Sequence, residues 1–126
     1  MRDMTDHDDP ISDPKNVLLI EVALDRDCIN AHDNFHRAEK FAELTADDFT
    51  RFAPNVVICP LFKPRFDAID VGTMMLRQTP GALLLVDCPA LPRPRMVLNE
   101  ITKACPGLRI DLFDRAKWIN PSLIVA

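Results

Sequence analysis

The sequence predicts an α/β fold: a three-layer, doubly wound, mainly parallel sheet of about five strands. Three observations lead there. Four short apolar runs, "NVLLIEVAL" (Asn16 to Leu24), "NVVICPL" (Asn55 to Leu61), "GALLLVDC" (Gly81 to Cys88) and "LRIDLF" (Leu108 to Phe113), are rich in branched residues and nearly continuous in hydrophobicity. Strands covered on both faces read this way, and parallel sheets are built from them. Stretches with helical spacing separate most of these runs, as right-handed crossovers require. Finally, 126 residues at 48% hydrophobic content suit one core rather than two.

In chain order, residues 1–14, "MRDMTDHDDPISDP", carry Asp3, Asp6, Asp8 and Asp9 and no apolar segment. They read as an acidic, disordered tail rather than a signal peptide, so the expected compartment is the cytoplasm. The single domain then spans 15–126. After the first strand, "CINAHDNFH" carries Asn30, Asp33 and Asn34 and reads as a solvated loop. "AEKFAEL" is a possible edge strand. "TADDFTRFA" opens with a capping-box pattern, Thr45 with Asp48, and reads as a short helix ended by Pro54. "FDAIDVGTMMLRQ" (Phe66 to Gln78) and "PRMVLNEITKAC" (Pro94 to Cys105) read as helices on the sheet, one through Phe66, Ile69, Met74 and Leu76, the other through Val97, Ile101 and Ala104. The count of five or six strands turns on "AEKFAEL" and the terminal "SLIVA".

Composition narrows the function classes. A net charge of -4 without any run of Lys or Arg supplies no positive face for nucleic acid or an anionic membrane, and neither partner is expected. Nor does any segment reach bilayer-spanning length. The three glycines, Gly72, Gly81 and Gly107, are isolated, so neither G-x-G-x-x-G nor a P-loop exists, and no nucleotide cofactor is expected. Ser12 and Ser122 do not sit in a hydrolase elbow. The cysteines Cys28, Cys59, Cys88 and Cys105 form no C-x-x-C pair and read as free thiols.

In a doubly wound sheet, ligands bind beyond the carboxyl ends of the strands. That edge should carry Asp25 and Asp27 after the first strand, Cys59 before Pro60, and Asp87 with Cys88. Cys59 and Arg65 have the C-x5-R spacing of a phosphatase loop, in which a thiolate attacks phosphorus while backbone N–H groups hold the oxygens. Pro60 and Pro64 have no N–H to give, and a buried strand-end cysteine is the competing reading. Arg93 and Arg95 in "LPRPR" are placed for a carboxylate or phosphate, or simply form a solvated loop. Cys28, His32 and His36, spaced i, i+4, i+8, would share a face as zinc ligands only if that poor helical segment were a helix.

"KNVLLIEVALDRDCIN" and "APNVVICPLFKPRFDAIDV" resemble the first and third strand regions of response-regulator receiver domains, over roughly a third of the chain. The stretch is also similar to small bacterial proteins of unassigned function. The receiver resemblance implies a flavodoxin-like fold in which Glu21 matches the first acidic residue, while Val22 and Ala23 replace the metal-binding pair. Pro60 replaces the phosphoacceptor, and Pro64 and Asp67 match the turn and helix start that follow. Such a chain cannot hold Mg²⁺ or accept phosphate in the usual way.

Two functions are therefore expected. The first is a phosphorylation-independent interaction module that pairs with itself or a protein partner, through "MML" (Met74 to Leu76) or the apolar C-terminal tail. The alternative is a small cysteine-dependent enzyme or ligand-binding domain using Cys59 or Cys88 with Asp25, Asp87 and Arg93; Glu21, Arg65 and Arg95 are further ligand contacts.

Overall fold

The computed structural model describes residues 15–22, 33–87 and 93–113. Five parallel strands form one sheet: β1 (Asn16–Ile20), β2 (Asn34–Ala38), β3 (Val56–Pro60), β6 (Leu83–Asp87) and β7 (Arg109–Phe113), in the order β2-β1-β3-β6-β7. The chain steps outward from β1 to β2, returns past β1 to β3, and continues to β6 and β7. This reversal makes the fold the expected three-layer, doubly wound, flavodoxin-like arrangement.

The period of two along each strand divides the core. Leu18, Ile20, Val57, Cys59, Leu84 and Val86 point to the face that packs against the described helices. Val17, Leu19, Ile58 and Leu85 form a second buried cluster on the other face, to which no described helix contributes. Both faces of β1, β3 and β6 are buried, which is why these strands are continuously apolar.

Helix α1 (Ala46–Phe52) starts at the expected capping box: Asp48 N–H donates to Thr45, and the Asp48 carboxylate accepts from Thr45 N–H. It ends at Ala53 in the left-handed region, just before Pro54. Helix α2 (Ala68–Gln78) has a second capping box, Asp67 with Asp70. Helix α3 (Pro94–Ala104) has proline in its first turn, where a missing N–H costs nothing. α2 and α3 pack closely because Gly72 has no side chain: a Cβ there would lie 2.6 Å from Cys105 Sγ. No described helix is long and apolar enough to cross a membrane.

Several sequence expectations need correction. The outer strand is Asn34–Ala38, in what reads as a loop, and "AEKFAEL" supplies only the end of that strand and a 3-10 turn over Phe41–Glu43. Phe66 belongs to a short hairpin, β4 (Phe62–Lys63) with β5 (Phe66–Asp67), and not to the helix. The buried stripe of α2 is Ala68, Val71, Gly72, Met74 and Met75. Met74 and Met75 are therefore core and cannot form the partner-facing surface expected of "MML". On α3, Ile101 is buried and Val97 half-buried, but Ala104 faces solvent. "SLIVA" lies outside the described residues.

Candidate functional site at the carboxyl edge of the sheet

The topological switch point lies between β1 and β3, where the strand order β2-β1-β3-β6-β7 changes direction. Beyond β1, Glu21 adopts φ 52°, a left-handed conformation that is strained for a residue with a side chain. Two bonds hold it there. Its N–H donates to Ala38 O at 3.0 Å, and its carboxylate accepts the Phe41 N–H at 2.8 Å. Glu21 thus ties the end of β1 to the 3-10 turn after β2.

Beyond β3, the chain turns into the hairpin, with Phe62 opposite Asp67 and Lys63 opposite Phe66. The base is pinned twice: Leu61 N–H donates to Asp87 O at 3.1 Å, and Ala68 N–H donates to Leu61 O at 2.9 Å. Phe66 is buried and stacks on Phe41 with ring centroids 4.8 Å apart. Phe62, Lys63, Pro64 and Arg65 all project into solvent.

Between the 3-10 turn and the hairpin lies a cleft of about 470 Å³, bordered by Glu21, Glu39, Lys40, Phe41, Lys63 and Arg65. A polar groove of about 570 Å³ runs from the other side of Phe41 and Arg65 towards α2, past Thr45, Asp70 and Arg77. Neither Lys40, Lys63 nor Arg65 makes an ion pair or side-chain hydrogen bond among the described residues, where the ion pairs are those of Arg51 with Asp47 and Asp48.

The residues singled out from sequence are distributed unevenly around this edge. Glu21 and Arg65 meet at the cleft. Cys59 borders neither cavity and is wholly buried; desolvation pushes its thiol far up, and the negative charges of Asp67 and Asp87 add to the effect. The residues between Cys59 and Arg65 run into a hairpin rather than curling around an anion. Asp87 is half-buried opposite Pro60. Arg93 and Arg95 are exposed at the start of α3 and do not line the cleft, and Arg93 reaches Met96 Sδ at 3.7 Å. His36 sits on β2 with its ring 5.4 Å from that of Phe52, so the helical face imagined for a zinc site does not extend to it. Asp25, Asp27, Cys28, His32 and Cys88 lie outside the described residues. Among the described residues, no three His, Cys, Asp or Glu side chains gather as metal ligands.

Sequence reading overlooked Lys40 and Lys63. The available signal was the pair of cations around proline in "FKPRF", next to the strand that ends the switch point. A comparison of the chain with protein-family models and with curated proteins finds no match.

Proposed function

We propose that the chain is a non-catalytic, receiver-like interaction module of the cytoplasm that works without phosphorylation. The observation that carries this reading is the state of Cys59. The one described thiol at the strand edge is buried and held in its neutral form, so it does not supply the thiolate that cysteine chemistry needs. The strand order is that of receivers. At the positions matching their metal and phosphate ligands, Val22 is buried core and Pro60 ends β3. Glu21, the matching acid, is engaged as a cap for the Phe41 amide.

The partner-facing feature is the hairpin. Phe62 is 73% exposed, the largest exposure of a big apolar side chain among the described residues, and Lys63, Pro64 and Arg65 follow it. An exposed aromatic close to an arginine, as Phe62 is to Arg65, suits a contact with a protein partner or a second copy.

Alkylation followed residue by residue tests the proposal. Cys59 is expected to stay unlabelled in the native protein up to pH 9 and to react only on unfolding. Rapid native labelling, together with a specific turnover lost in Cys59→Ala, would establish the enzymatic alternative instead.

A further inference from the structure

We infer that the cleft between the 3-10 turn and the β4–β5 hairpin binds a small phosphomonoester carried on a compact apolar group. Three cationic side chains, Lys40, Lys63 and Arg65, converge on it against two carboxylates, Glu21 and Glu39. The cleft is thus net positive in a chain whose overall charge is -4. One of the two carboxylates, Glu21, is already occupied by the Phe41 amide. None of the three cations is neutralised by a described partner, whereas Arg51 on α1 is paired twice. A planar guanidinium offers two parallel N–H groups to phosphate oxygens, and the two ammonium groups add point charges suited to a dianion.

The apolar part of the ligand follows from the wall. Phe41 borders the cleft half-exposed and is braced by the buried Phe66 ring beneath it. A volume of about 470 Å³ lies in the range of small-molecule sites. The position, at the switch point of a doubly wound sheet, is where this architecture receives ligands. The site shares Lys63 and Arg65 with the hairpin proposed above as partner-facing, but adds Lys40 and does not depend on Phe62 or Cys59.

The test is a ¹H–¹⁵N NMR titration of the whole chain with phenyl phosphate, with inorganic phosphate and benzoate as parallel probes. Phenyl phosphate is expected to give saturable shifts confined to the amides of Lys40, Phe41, Lys63, Arg65 and Phe66, and to bind more tightly than either other probe. The double variant Lys63→Gln/Arg65→Gln should weaken it about tenfold or more, since charge-assisted bonds are lost. Lys40→Gln should weaken it less. Arg93→Gln/Arg95→Gln removes two charges from the same edge outside the cleft and should leave affinity within about twofold. Diffuse or unsaturable shifts, equal binding of benzoate or inorganic phosphate, or undiminished affinity in the Lys63/Arg65 variant would each overturn the inference. So would an equal loss in the Arg93/Arg95 variant.

Discussion

At the amino ends of β1 and β3, polar side chains are bonded into the framework. Asn16 donates from its amide to Phe52 O at 2.7 Å and Ala53 O at 3.3 Å, and accepts from the Asn34 amide at 3.1 Å. Its own N–H is taken by Asn55 Oδ1 at 2.8 Å, and Asp33 caps the Lys15 N–H. Even Arg109, beside the small cleft at this end, donates to Gly81 O. At the carboxyl ends of the same two strands, Lys40, Lys63 and Arg65 surround a cleft with no described partner. The two ends lie on one rigid sheet, so the contrast comes from side-chain bonding and not from differences in fold. A polar group bonded internally holds the structure, while one left facing water remains available to a ligand.

Substitutions at the two ends should separate accordingly. Asn16→Ala removes a partly buried knot joining β1, β2 and the end of α1, and is expected to destabilise by about 2 kcal/mol in urea unfolding. A loss below about 0.5 kcal/mol would show that water replaces those bonds and would erase the contrast.

The next effect is a pH dependence from two buried thiols, Cys59 near the end of β3 and Cys105 between α3 and β7. Cys59 and Cys105 both have pKa values raised above the usual 9.0, chiefly by desolvation. Above pH 9 the unfolded thiols lose their protons while the folded ones keep theirs, so stability present below that pH is lost as pH rises. The slope is at most about 1.4 kcal/mol per pH unit for each thiol. Cys59→Ala should remove part of this slope between pH 9 and 10.5, measured as urea midpoints; an unchanged slope would show that Cys59 ionises in the folded protein.

The smallest effect is expected at the cleft itself. Lys63→Gln and Arg65→Gln, separately, should change stability by less than about 0.5 kcal/mol, because exposed, unpaired side chains contribute little to folding. A loss as large as that of Asn16→Ala would place these cations in the framework and sharpen the contrast in the opposite sense.

What was legible in the sequence follows the same division. β1, β3 and β6 are buried on both faces, so their apolar runs stand out, and the Thr45–Asp48 box marks the start of α1 directly. β2 was not legible: as an outer strand it buries only Ala38 fully, and "NFHRA" carries no apolar run. The hairpin was hidden for another reason. Its strands are two residues long and contain no local signal beyond a proline; the bonds that define its base go to Asp87 and Leu61. Apolar spacing puts Phe66 in the helix, and the structure puts it in β5, because spacing alone does not separate a stacked aromatic on a hairpin from the first turn of a helix. The cleft draws its cations from two segments over 20 residues apart, brought together by β1 pairing with both β2 and β3, and no linear motif records that.

The pinned base of the hairpin has an entropic consequence. With Ala68 N–H held to Leu61 O, the stretch carrying Lys63 and Arg65 is a closed loop of about eight residues whose ends are already fixed. The ordering cost that a flexible segment meets on capturing a ligand was met when the chain folded, so what remains is the freezing of two long side chains, roughly 1–3 kcal/mol in all. A ligand at this edge should therefore exchange quickly and reversibly, with an arrival rate set by diffusion and charge rather than by rearrangement of the backbone.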